Sequence, residues 1–201
     1  IGHGFTPNPA RPATLLIGGG VGIPPMVFLA EHLKNDAEEW EPLVIMGSEI
    51  PFPFDLAKSS IATPWIDDAI VATMPEMEAW RIPARLASLS DFDGTYRGYV
   101  TDLAREWLRT LSTEALARVE IFSCGPTPML EAVASLAKEF NVPCQVSLEE
   151  FMACAVGGCA GCTVLVQTDE GPAMKRVCVD GPVFDAATVF PDRNQTDARQ
   201  V

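Results

Sequence analysis

Short apolar runs alternate with stretches of helical periodicity from residue 13 to about residue 150. The run ATLLIG at 13–18 has the composition of a buried strand. PPMVFLAEHLKND at 24–36 follows it, with prolines where a helix tolerates them and apolar residues at helical spacing. Further strands are predicted at 42–47, 69–73, 83–88, 118–125 and 143–149, and further helices at 99–111 and 127–140. Alternation of this kind predicts an α/β fold, a mostly parallel sheet with helices on both faces. No repeat or low-complexity segment interrupts it.

The pattern changes after Glu150. Glycine and cysteine dominate, and then 163–168 and 174–181 read as a hairpin around DEGPA. Residues 191–201 are polar and read as a flexible tail. Four parts are therefore expected: a connection at 1–12, a nucleotide-binding α/β domain at 13–150, a small cysteine domain at 151–190, and the tail. The opening IGHGFTPNPARP, which begins with Ile1, reads as an interdomain connection and makes the chain look like the later part of something longer, or a processed form.

Composition narrows the function. Of 201 residues 48% are hydrophobic, ample for a core, and the formal net charge is −13. A nucleic-acid binder needs a basic footprint, and an anionic membrane would repel this surface. No apolar run reaches the length of a membrane span and no signal segment opens the chain. Six unevenly spaced cysteines do not make a secreted disulfide scaffold, so the cytoplasm is the expected compartment.

Two loops carry candidate chemistry. LLIGGGVGIPP places Gly18, Gly19, Gly20 and Gly22 between a strand and a helix, where glycines let the backbone approach a phosphate and the helix end favours an anion. The spacing departs from G-x-G-x-x-G, so a plain tight turn is the competing reading. IFSCGPTPM at 121–129 is a second loop of this kind, and the two together would frame a crevice with Cys124 facing it. Taken alone, Cys124 would be a small buried hydrophobe, as Cys144 is within its strand. His3 and His32 lack partners that suggest metal or triad chemistry, and NDAEEWE is a solvated helix end.

Cys154, Cys159, Cys162 and Cys178 make C-x4-C-x2-C with a distant fourth cysteine. Structural zinc usually shows two C-x2-C pairs, and only one is present. The x4-x2 order is the plant-type [2Fe–2S] pattern. Gly157, Gly158 and Gly161 remove side chains that would crowd inorganic sulfide and leave N–H groups to hydrogen-bond sulfur. Zinc and disulfides remain the alternatives on the residues alone.

GGGVGIPPM, GYVTDL, SCGPTPML and SLEEFMACAVGGCAGCTV…VCVDGPVF occur in this order over about residues 2–186. Together they closely resemble the electron-transfer subunits of NAD-dependent dihydroorotate dehydrogenases, in the ferredoxin-reductase superfamily. The resemblance implies an FAD-binding barrel, a nucleotide-binding domain and a C-terminal [2Fe–2S] domain. Electrons would pass between NAD(H), FAD and the cluster to an FMN-containing catalytic partner in pyrimidine biosynthesis, making the chain part of a hetero-oligomer. It implies that Gly19, Gly20, Gly22 and Thr101 border the NAD phosphates and ribose. Cys124, Gly125 and Pro126 would lie beside the nicotinamide, Cys124 packing on the reacting ring, and the four cysteines would ligate the cluster. The barrel and its flavin-contacting motif are not found in the 201 residues; only GHGF resembles its exit. After the second strand stand Ser48 and Glu49, and an acid there suits a ribose 2′-OH better than a 2′-phosphate, favouring NAD. The same relay with a hydrogenase- or sulfide-dehydrogenase-type partner is the neighbouring reading. A nucleotide-binding module with structural zinc is the non-redox one.

Overall fold

A computed structural model describes residues 2–191 of the chain; the tail expected over 191–201 lies, Pro191 apart, outside them. The first apolar run forms β1 (Ala13–Gly19), a 3-10 turn (Gly20–Gly22) and α1 (Ile23–Asn35). There follow β2 (Leu43–Gly47), the two-residue β3 (Ala57–Lys58) and β4 (Ala72–Thr73), α2 (Pro75–Trp80), β5 (Ala84–Ser88) and β6 (Tyr96–Arg97). Next come α3 (Val100–Arg109), α4 (Thr113–Leu116), β7 (Val119–Cys124), α5 (Thr127–Glu139) and β8 (Cys144–Ser147). The last part holds β9 (Thr163–Thr168), β10 (Gly171–Arg176), β11 (Val183–Asp185) and α6 (Ala186–Val189).

Strand alternation assigns the two faces. Leu16, Val44, Met46, Leu86 and Phe122 pack with Met26, Leu29 and Leu33 of α1. Leu15, Ile17, Ile45 and Ile121 pack with Leu103 and Leu108 of α3 and Leu130, Val133 and Leu136 of α5. Both faces are covered, which is why the central strands read as continuous apolar runs. The seven-stranded sheet has the order β11-β8-β7-β1-β2-β5-β6, and every pair is parallel except β11 on β8. The chain moves outward from β1 through β2 and β5, then crosses back to place β7 on the other side of β1. The order reverses there, and the crevice beyond the carboxyl ends of β1 and β7 is the place such sheets bind ligands.

Two expectations shift. The strand foreseen at 69–73 is only β4, paired with β3 in a separate small ribbon rather than in the main sheet. The second hairpin strand lies at Gly171–Arg176 and not at 174–181. The Arg176 carbonyl accepts N–H groups from Val179, Asp180 and Gly181, so the chain closes into a turn where the sequence still alternates.

The cysteine-rich region is not strung beyond the sheet. It leaves at the end of β8 and returns as β11, whose Val183 pairs with Ser147. The Leu148 N–H also donates to the Pro182 carbonyl at 2.9 Å, so the neck of the excursion is hydrogen-bonded shut. Residues 3–11 form a strap over β7 and β8. Thr6 exchanges two hydrogen bonds with the Gln145 amide, the Asn8 N–H donates to Glu120, and Phe5 meets Phe122 edge-on at 5.6 Å.

Candidate functional site: a glycine-lined crevice and a cysteine loop

Both glycine loops sit at the switch point, with Gly18 of β1 in register with Cys124 of β7. Their glycines do different jobs. A Cβ on Gly22 would stand 1.9 Å from the Cys124 carbonyl oxygen, and one on Gly19 would stand 2.4 Å from Met129 Sδ. A Cβ on Gly125 would reach Met129 Cε at 2.5 Å. These three glycines are explained by the two loops packing on each other. Gly20 is different: its φ is +53°, it is exposed, and nothing lies within 4 Å of its Cβ position. It is the glycine left open to a ligand.

Pro24 and Pro25 fall in the first turn of α1 and bring no N–H, so that helix end is a poorer anion site than the sequence suggests. Donors at this place must come from the 3-10 turn. The N-terminus of α3 supplies others. Its cap, Tyr99, makes no side-chain capping bond, while Thr101 is the second helical residue and is buried. This end lies against β2, because a Cβ on Gly47 would meet Val100 Cγ1 at 2.5 Å. Ser48 and Glu49 continue from β2. Their carbonyls are tied down by the Ser88 hydroxyl at 2.7 Å and the Ser90 hydroxyl at 3.4 Å, and the Glu49 side chain is exposed. All the residues expected around a nucleotide thus stand on one edge of the sheet.

Cys124 is half-buried at the crevice. Burial raises its thiol, a hydrogen bond with Ser147 opposes this, and the Glu149 carboxylate raises it further. It is a neutral thiol near pH 7, suited to packing rather than attack. Ser147 and Glu149 join this edge from β8, and Met129 fills the floor between the loops. The sequence reading missed all three, since Ser147 and Glu149 depend on β8 lying beside β7, and Met129, on α5, depends on β7 lying beside β1. The opposite edge holds a cleft of about 590 Å³ at the amino ends of β2 and β5, lined by all four tryptophans, Trp40, Trp65, Trp80 and Trp107. It contains none of the residues just described.

The four cysteines form a separate site. None is in a disulfide. Ala155 (φ +55°), Gly157 (φ +79°) and Ala160 (φ +53°) curl the loop so that N–H groups turn inward, the arrangement of an anion-binding nest. The Cys159 N–H donates to Cys154 Sγ at 3.4 Å and the Gly161 N–H to Cys159 Sγ at 3.4 Å. Hydrogen bonds from the Val156 and Cys159 N–H groups, then from the Cys159 thiol and the Gly158 N–H, hold the Cys154 thiol down at about 6. The second pair is Cys162 and Cys178, both 2% exposed. Their mutual hydrogen bond, followed by burial, raises the Cys178 thiol, and the Gly157 N–H opposes this. Among the described residues no three His, Cys, Asp or Glu side chains converge on one point. The thiols instead form two pairs, an outer pair at the surface and an inner pair in the core. This set of unlinked soft donors, with N–H groups directed at the outer sulfurs, fits an iron-sulfur cluster.

A family model for the iron-sulfur cluster binding domain of dihydroorotate dehydrogenase B matches residues 149–190. A dihydroorotate dehydrogenase B (NAD(+)) electron transfer subunit of Caldanaerobacter subterraneus subsp. tengcongensis is 31% identical over 178 residues, which is 88% of this chain and 58% of that protein. The same subunit from Listeria welshimeri is 34% identical over 94% of this chain and 63% of its own length. The chain thus spans about three-fifths of the curated relatives it matches. A solved NADH-dependent reduced ferredoxin-NADP oxidoreductase superimposes with a TM-score of 0.64 at 25% identity, over 94% of this chain and 57% of that one. No described helix is long and apolar enough to cross a membrane. Over the part of these relatives that it spans, the chain is similar to the dihydroorotate dehydrogenase B electron transfer subunits, and its residues 149–190 match their iron-sulfur cluster binding domain.

Proposed function

We propose that the chain is an electron-transfer module of an NAD-linked dihydroorotate dehydrogenase, carrying a [2Fe–2S] cluster on Cys154, Cys159, Cys162 and Cys178. The observation that supports this best is the arrangement of these four thiols. They are unlinked, lie in two pairs, and have backbone N–H groups directed at their sulfurs. When bound, such a cluster accepts and releases one electron at a time.

The chain's own part is binding, position and electrostatics. The curled loop supplies Cys154 and Cys159 with N–H donors that favour thiolate, while the buried Cys162 and Cys178 tie the inner side to the core. At the other site NAD(H) is the substrate. Gly20 and the N–H groups of the 3-10 turn would meet its phosphates, Thr101 its phosphate or ribose, and Glu49 the adenosine ribose. Cys124, Gly125 and Pro126 would hold the nicotinamide, with the uncharged Cys124 packed on the reacting ring. FAD, the FMN-containing catalytic partner and the hetero-oligomer belong to this reading through the family. No described residue is assigned to a flavin. A cytoplasmic setting in pyrimidine biosynthesis goes with the same assignment.

The test is a visible spectrum with iron, sulfide and zinc assays on anaerobically purified chain. Two irons and two sulfides, with colour that bleaches on dithionite, are expected. One zinc and no visible bands would overturn the cluster.

A further inference from the structure

Arg176 lies on β10, two residues before Cys178, and its guanidinium turns back across the cysteine loop. Its Nη1 donates to the Gly157 carbonyl at 3.1 Å. The Asp180 carboxylate holds it there, accepting the Arg176 N–H at 2.7 Å and Arg176 Nε at 3.3 Å. Gly157 is held closely, since a Cβ on it would stand 3.1 Å from Arg176 Nη1 and 2.7 Å from a Val179 methyl.

The contact acts on one peptide unit. The Gly157 carbonyl and the Gly158 N–H belong to the same planar trans group and point in opposite directions. Two residues on from Gly157, the Cys159 N–H donates to Cys154 Sγ at 3.4 Å. A cation bonded to the carbonyl therefore fixes the plane of the Gly157–Gly158 peptide, one unit before the N–H that bonds the sulfur, and so holds the loop that carries that donor. The same guanidinium brings positive charge to a site that would hold four thiolates, in a chain of net charge −13.

We propose that Arg176 is a positioning residue for the cluster. Clamped by Asp180, it locks the Gly157–Gly158 peptide so that the loop presents the Cys159 N–H to Cys154, and its charge favours the reduced cluster. The inference rests on the cluster reading above, but the clamp also exists in the metal-free chain. Residues that orient metal ligands from outside typically cost about 10–100-fold in affinity when removed.

The experiment uses the full chain with Arg176→Gln, Arg176→Lys and Asp180→Asn. In the metal-free form, amide hydrogen exchange of residues 157–161 should quicken roughly tenfold in Arg176→Gln and Asp180→Asn, the scale of one lost charge-assisted hydrogen bond. In the loaded form, the reduction potential of Arg176→Gln should move negative. Arg176→Lys should recover part of it, and Asp180→Asn should lie above Arg176→Gln because it sheds a negative charge instead of a positive one. A purely structural role would not order the potentials by charge. Wild-type exchange in metal-free Arg176→Gln overturns the clamp, and a wild-type potential in the loaded variant overturns the electrostatic part. If the wild-type chain loads zinc alone, the cluster reading falls, and the electrostatic part with it, while the exchange data still decide the clamp.

Discussion

At the scale of single residues, the crevice separates glycines needed for packing from one available to a ligand. Gly22→Ala drives a methyl against the backbone carbonyl of Cys124, which cannot move without shifting β7. A cost of about 3 kcal/mol is expected, the upper end of ordinary overpacking. Gly20→Ala meets no atom within 4 Å and pays only for its positive φ, ~1–2 kcal/mol. Urea unfolding of the two variants should rank them in that order, and the reverse ranking would mean that the loops do not pack as described. NADH affinity should fall in Gly20→Ala even after correction for stability. Cys124→Ala should keep the visible spectrum, because the thiol is no cluster ligand, while NADH oxidation by the assembled enzyme drops roughly ten- to a hundredfold through misplacement of the ring. Loss of the visible bands in that variant would remove Cys124 from the nicotinamide site.

At the scale of elements, the legible parts were those with strong local signals. β1, β2, β7, α1 and α5 follow directly from apolar runs and helical spacing, and the C-x4-C-x2-C loop follows from its glycines. The failures have physical causes. Ala69–Thr73 looked like a strand by composition, yet only β4 pairs there, because Ile70 and Val71 are drawn into a loop tied to Asp67 and Gly94. β11 is three residues long and exists only because β8 offers it an open edge. The Arg176–Asp180 pair that steadies the contact to Gly157 spans a turn that the alternating apolar pattern disguised as strand. Cys144 in β8 was read as core, and the structure supplies a consequence. Burial, and then the Asp185 and Glu120 carboxylates, push its thiol far above the ordinary range. In the unfolded chain a thiol ionises near ~8.5. Above that pH the unfolded state has shed a proton that the folded state keeps, so the unfolded state binds fewer protons and stability falls as pH rises. The contribution is complete below about pH 8 and declines through the alkaline range at up to ~1.4 kcal/mol per pH unit. Cys144→Val should lack this part of the alkaline slope. Parallel stability curves for variant and wild type between pH 7.5 and 10.5 would place Cys144 outside the core.

At the scale of the whole molecule, the question is whether the cysteine region is a second domain or an outgrowth of the first. Its ends are joined through Ser147–Val183 pairing and the Leu148–Pro182 hydrogen bond, so it is an excursion clipped at its neck. Its inner residues Cys162, Val177 and Cys178 belong to the same buried cluster as Leu130 and Val133 of α5, Val146 of β8 and Ala186 of α6. Two of the proposed cluster ligands are therefore also core residues of the α/β sheet. Metal that binds the folded chain but not the unfolded one adds to the stability of whatever unit unfolds cooperatively with it. If that unit were the excursion alone, removing the cluster would leave the main melting transition in place and abolish a separate one. The shared core argues for the other outcome: a single calorimetric transition that moves down by roughly 2–4 °C for each kcal/mol of binding energy lost, as befits a chain of this length. Scanning calorimetry of loaded and chelator-stripped chain decides between them. Two resolved transitions, only one of which responds to the metal, would make the boundary near residue 150 a true domain border. One moving transition would mean that the cysteine region and the α/β sheet stand or fall together.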